Sequence, residues 1–136
     1  MKKLLRFGVS MENDLLEKFD HLISKRGYTN RSEAIRDIVR SQLVDETVKK
    51  GNVVTFGVIS YVYDHHKHEL EETLTDFQHR HYKKIISSTH VHIDHDNCLE
   101  TVIMKGKSVD LQRIADMLLS LKWVKHGKLT LTSSLT

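Results

Sequence analysis

The 136-residue sequence has no proline, one tryptophan and one cysteine, and each scarcity excludes something. A single cysteine rules out an intrachain disulfide framework. No proline- or serine-rich tract marks a disordered stretch, and no apolar run approaches the ~20 residues that cross a bilayer. The opening Met1-Lys-Lys-Leu-Leu-Arg-Phe-Gly8 lacks the sustained apolar core of a secretory signal. We therefore expect a folded, soluble cytoplasmic protein with no membrane partner. A chain of this length holds one domain, or two small ones that need a partner to bury enough surface.

Charge and histidine are divided unevenly. Residues 1–50 carry eleven Lys/Arg against eight Asp/Glu, residues 51–136 carry ten of each, and nine of the ten histidines follow Gly51. The asymmetry points to a basic, anion-meeting module followed by a metal-using one, although a charge of +3 is also ordinary for a solvated surface.

In the first module, Leu5 to Val9 reads as a short strand, with Phe7 and Val9 on one side and Arg6, Gly8 and Ser10 on the other. Asp14 to Lys25 reads as a helix whose Leu15, Leu16, Phe19, Leu22 and Ile23 form an apolar stripe, closed by Gly27 at a left-handed position. A second helix starts at Asn30, with Glu33 as capping-box partner, and turns Ala34, Ile35, Ile38 and Val39 inward. One strand and two short helices bury too little to stand alone, so the unit is expected to dimerise. Antiparallel pairing of two such strands makes a ribbon that fits the DNA major groove, with Arg6, Gly8 and Ser10 towards the bases. The pattern resembles the ribbon-helix-helix fold of repressors, in which the amino end of the second helix, here Arg31 and Ser32, holds a phosphate.

A polar stretch from Asp45 to Asn52 reads as a hinge. Beyond it the pattern is β-α-β-β-α-β: Val53 to Tyr63, Lys67 to Tyr82, Ile85 to Ile93, Cys98 to Lys105, Val109 to Leu121 and Lys128 to Thr132. This is the split βαβ order, a four-stranded antiparallel sheet with both helices on one face and the other face open.

The segment His90-Val-His-Ile-Asp-His-Asp-Asn-Cys98 carries the chemistry. Strand alternation puts His90 and His92 on one face ~6.5 Å apart. A sulfur close by makes a donor set for a late transition metal rather than magnesium or calcium. For Cys98 to share that face, His92 and Cys98 must pair across an odd loop, which also sets Glu100 opposite His90. Placing the apolar Val91 and Ile93 beneath the helices leaves His90 and His92 on the open face, and a sulfur turned under the helices would defeat such a site. His79 lies ~180° around its helix from the core residue Leu70, so it points away from its own sheet, where it is either a solvated helix histidine or a donor within reach of a neighbouring chain. His65, His66 and His68 are further candidates in a polar turn.

His90-Val-His-Ile-Asp-His95 also matches the H-x-H-x-D-H signature of metallo-β-lactamase-fold hydrolases, but that fold needs a longer chain and more downstream ligands than His126 alone. A structural zinc site is a second competing reading of the same donors.

Taken together, Asn30-Arg-Ser-Glu-Ala-Ile-Arg-Asp37, Ser60-Tyr-Val-Tyr63, Gln78-His79, His90-Val-His92, Asn97-Cys-Leu-Glu100 and His126-Gly127 resemble the NikR family of nickel-responsive transcriptional repressors over nearly the whole chain. The resemblance implies an α+β chain, with a ribbon-helix-helix DNA-binding domain over residues 1–48 and an ACT-like nickel-binding and tetramerisation domain over 49–136. It implies a homotetramer, a dimer of dimers, binding an inverted-repeat double-stranded DNA operator and controlling nickel uptake or use. It further implies one Ni(2+) per subunit, held by His90, His92 and Cys98 of one chain and His79 of another, and a second cation on Glu33 and Asp37. A thiolate with three imidazoles suits square-planar Ni(II), and copper should bind at least as tightly in vitro. The chain departs from the family at Gly8, which offers no side chain to a base. The contrasting class is a structural or storage oligomer binding zinc or nickel without sequence-specific DNA recognition. Neither class is an enzyme.

Overall fold

The structure, a computed structural model, describes residues 2–134. The chain divides into two compact units, one ending at Ser41 and one starting at Gln42.

The first unit is built on helix α1, Asn13–Lys25, and the first part of helix α2, Arg31–Lys49. Helix α1 stops as its sequence dictates. Gly27 takes φ +91 and its N–H donates to the Ser24 carbonyl at 3.0 Å, while the Tyr28 N–H reaches back to the Ile23 carbonyl at 3.0 Å. That pair of bonds satisfies carbonyls the helix end would otherwise strand, and a glycine adopts the left-handed turn without steric cost. Helix α2 opens on Asn30, whose Oδ1 accepts from the Glu33 N–H at 2.9 Å, the expected cap. Within the two helices only Ile23 and Ala34 are buried, and Leu15, Leu22, Ile38, Val39 and Leu43 stay exposed.

Two expectations for this region are corrected. Leu5 to Val9 carries no strand in the single chain: a strand needs a partner to complete its ladder, and no described segment pairs with this one. Leu5 is 79% and Phe7 77% exposed. The polar stretch from Asp45 is not an irregular hinge either, since α2 continues to Lys49 and only residues 50–53 intervene before the next strand. Polar residues are acceptable on a solvated helix, and here Glu46 and Lys49 pair along it at 3.5 Å. The end of α2 is fastened by Ser108 Oγ donating to the Val48 carbonyl at 2.7 Å, and by the Val109 N–H donating to that of Gly51 at 3.2 Å.

The second unit follows the expected order: β1 Val54–Asp64, α3 His68–Arg80, β2 Ile85–His92, β3 Asn97–Lys107, α4 Ser108–Leu119 and β4 Val124–Thr132. The four strands lie antiparallel in the order β2-β3-β1-β4. One face carries the core. Ile59, Tyr61, Val102 and Met104 from the central strands meet Leu70, Leu74 and Phe77 of α3 and Leu111, Ile114 and Leu118 of α4. The opposite face carries Val54, Val91 and Ile103, each more than a third exposed, so it is apolar and uncovered.

The face of the histidines is the main correction. His92 pairs with Cys98 and His90 with Glu100, and residues directly opposite in a ladder share a face. Cys98, Glu100, Val102 and Met104 are all buried, so the histidines lie on the helix side and Val91 on the open side. The expectation failed because it treated the apolar face as the covered one. Here both faces of the sheet are apolar, and β2 is an edge strand whose outer half the helices do not blanket.

Candidate metal centre and nucleic-acid surface

Two donors, His92 and Cys98, meet where β2 and β3 join their connecting loop, and His90 lies two residues back on the same face. Five residues, 93–97, separate His92 from Cys98, an odd number that brings the two opposite each other in the register that the sequence requires. Cys98 Sγ lies 3.2 Å from His92 Nδ1, and the His90 and His92 rings are 6.4 Å apart. Cys98 is 1% exposed, whereas both histidines are exposed. The centre is therefore half sunk: a soft buried sulfur below, two imidazoles at an open edge above.

The sulfur and its imidazole neighbour have the spacing of two donors on one late transition ion. Bonds of ~2.3 Å to sulfur and ~2.1 Å to an imidazole, placed at right angles, separate the two donors by about 3.1 Å. The Sγ to Nδ1 spacing matches that value without rearrangement. The sulfur does lie on the helix side, and this removes the open-face placement of the site. Both histidines share the sulfur's face and lie at its uncovered margin.

The surroundings tune and brace this edge. Burial pushes the Cys98 thiol above its ordinary value, the carboxylates of Glu71, Glu100 and Asp94 push the same way, and the Tyr63 hydroxyl opposes them. Burial likewise holds Tyr61 and Tyr63 neutral, the nearby Glu100 charge adding to the effect. Gln78 ties the helix to both strands, its Nε2 donating to Glu100 at 2.5 Å and its Oε1 accepting from Ser88 Oγ at 3.1 Å. A cleft of about 340 Å³ bounded by Glu71, Thr75, Gln78 and His90 opens beside them. Sequence reasoning placed Glu100 opposite His90 but missed Gln78 as its partner. Gln78 lies one turn beyond the core residue Leu74, and that spacing was the available signal.

The remaining candidates are placed as follows. His79 is exposed on α3, beside Thr73, Asp76 and Arg80. Among the described residues it joins no cluster of three donors within one chain, and neither do His90, His92 and Cys98. His81 turns towards the core and packs on Phe77 with rings 4.6 Å apart, as its helix position predicts. Glu33 and Asp37 lie one turn apart on α2, and Asp37 already accepts from the Tyr28 hydroxyl at 2.6 Å and faces Arg40 at 3.1 Å. Arg6, Gly8 and Ser10 are exposed. Arg31 and Ser32 open α2, but the Arg31 guanidinium makes two bonds to Asp20, at 2.9 and 2.8 Å. Both partners are exposed and screened by solvent, so the pair yields readily to a better anion.

Comparison with known proteins gives the family. Residues 56–132 match the model of the NikR C terminal nickel binding domain, and residues 6–46 match that of the ribbon-helix-helix proteins of the copG family. A protein of Solibacter usitatus that carries the name nickel-responsive regulator is 50% identical over 134 residues, covering 98% of this chain and 96% of its own. The chain belongs to the nickel-responsive regulator family. Relatives bearing the same name in Trichlorobacter lovleyi and Caldanaerobacter subterraneus are each 48% identical over 98% of this chain, covering 96% and 87% of their own lengths. Membership removes the hydrolase reading of the H-x-H-x-D-H segment, and the chain is a regulator rather than an enzyme. Among the described residues no helix is long and apolar enough to cross a membrane.

Proposed function

We propose that this protein represses transcription in response to nickel, binding an inverted-repeat operator when Ni(2+) occupies sites shared between chains. The observation that carries the proposal is the approach of Cys98 Sγ to His92 Nδ1 at 3.2 Å, with His90 on the same face. These residues supply three donors, and His79 of a second chain supplies the fourth, giving one ion per chain. The outward aim of His79 supports that assignment, since a side chain turned from its own sheet is available to another subunit. A thiolate ligand needs a reducing compartment, which favours the cytoplasm.

Assembly follows from exposed apolar surface. Leu5, Phe7 and Val9 of one chain against those of another would contribute about 1.5–3 kcal/mol for each side chain fully buried. Pairing the two amino-terminal segments completes the missing ladder and forms the DNA-reading ribbon of Arg6, Gly8 and Ser10. The first N–H groups of α2, with Arg31 released from Asp20 and with Ser32, meet the phosphate backbone. The uncovered apolar sheet face supports joining two such dimers into a tetramer through the domain spanning 49–136, with the reading domain occupying 1–48. Glu33 and Asp37 would give the second cation its ligands from the reading domain.

When bound, nickel supplies a link between chains, and it favours DNA binding only by the difference in its affinity for the two arrangements of the core. Linked ribbons engage both half-sites together and gain effective concentration. The test is selection from random duplex pools with nickel or with chelator. Metal-dependent enrichment of an inverted repeat is expected. Metal-loaded protein that enriches no sequence at any salt concentration would make it a storage oligomer instead.

A further inference from the structure

The cleft beside the metal centre, about 340 Å³ in volume, has one wall from α3 and the other from the strands. Glu71, Leu74, Thr75 and Gln78 make the helix wall, and their spacing of i, i+3, i+4 and i+7 places them in a single stripe along α3. His90 and Glu100, directly opposed in the β2–β3 ladder, stand on the strand side. One imidazole of the metal centre is thus part of the lining.

The two carboxylates of the cleft differ in depth. Glu100 is 7% exposed and accepts a hydrogen bond from Gln78, which fixes it at the floor. Glu71 is exposed and lies two turns before Gln78 on the same stripe, at the mouth. No lysine or arginine is among the described residues that line the space. The charge of Glu71 is felt at the sulfur: burial is the main cause that pushes the Cys98 thiol up, and Glu71 heads the carboxylates that add to it. A chain of formal charge +3 repels a dication as a whole, so an acidic approach inside low-dielectric walls, which focus the field, has the larger effect on capture.

We propose that this cleft is the approach to the nickel centre and that Glu71, at its mouth, steers the incoming dication towards His90, His92 and Cys98. Glu100 carries the negative field on from the mouth to His90. Glu71 is no ligand: it acts at a distance on the rate of association, and salt screens that action. The proposal rests on the nickel-sensor reading. Loss of Glu71 has a second effect of opposite sign, because it loosens the hold of the thiol on its proton and so favours binding. That effect cannot be the cause of a slower capture.

The test is stopped-flow mixing of the full chain with Ni(2+), read as growth of thiolate-to-nickel absorption in the range where the rate is proportional to nickel concentration. Wild type is compared with Glu71→Gln, Glu71→Lys and Asp116→Asn. Asp116 is exposed on α4 outside the cleft, and its replacement changes the net charge as Glu71→Gln does. At ~0.01 M salt, where charges act over ~30 Å, Glu71→Gln should slow capture about fivefold, Glu71→Lys further, and Asp116→Asn by less than about twofold. At ~1 M salt the four rates should converge, whereas a merely structural defect would persist. Equal slowing by Asp116→Asn, a deficit indifferent to salt, or a Glu71→Gln protein that reaches full absorption as fast as wild type would overturn the approach alone. Wild type that develops no such absorption would strike the nickel reading, and the approach with it.

Discussion

Nickel affinity should rise with pH because the buried thiol must lose its proton to become a ligand. Cys98 is 1% exposed, and burial raises its pKa above the ordinary thiol range, so at neutral pH the proton is present and binding must expel it. Affinity then gains tenfold per pH unit until the thiol titrates by itself. The raised pKa extends this slope across the whole interval from pH 7.0 to 8.5. Over that interval the gain is about thirtyfold, or roughly 2 kcal/mol. Competition against a chelator of known proton linkage measures it, with Cys98→Ala as the control that should flatten the curve. A wild-type affinity constant across this window would show that the sulfur is not a ligand and would refute the reasoning.

Three further outcomes follow from packing and contacts. Gly127→Ala places a methyl 2.8 Å from Tyr61 Cβ and 3.0 Å from the Ser60 carbonyl oxygen, atoms that β1 cannot move. It should destabilise by about 2 kcal/mol, seen as a lower denaturant midpoint at matched protein concentration. Asn30→Ala removes the bond to the Glu33 N–H and should cost about 1 kcal/mol in the same assay. Arg6→Ala should cost about 1–3 kcal/mol on the selected operator but less on random duplex, whereas an equal loss on both would assign Arg6 to phosphate.

Local rules were the legible part of this sequence. Gly27 marked the end of α1 because a left-handed residue closes the helix, and Asn30 marked the start of α2 because its side chain satisfies a stranded N–H. The split βαβ order followed from where the period of two gives way to the period of three to four. The odd loop between His92 and Cys98 followed from requiring the two to share a face, and the structure has five residues there.

What failed were properties set by elements distant in the chain. The covered face of β2 is determined by where α3 and α4 pack on β1 and β3, and β2's own pattern is ambiguous because Val91 on one side and Ile85 on the other are both apolar. The strand expected at Leu5 depends on a hydrogen-bonding partner that a single chain does not provide. The Arg31–Asp20 pair joins two helices across eleven residues, beyond the reach of any helical spacing rule.

Subunit complementation tests the shared nickel site most directly. His79→Ala and Cys98→Ala chains, each unable to complete a site with its own kind, are co-expressed with different affinity tags, and the mixed assemblies are isolated through both. If the fourth donor comes from a neighbour, mixed assemblies recover thiolate-to-nickel absorption wherever the intact sulfur of one chain meets the intact His79 of the other. Mixed assemblies that remain as silent as the two parents would contradict the account, since a site completed within one chain cannot be restored by its neighbour.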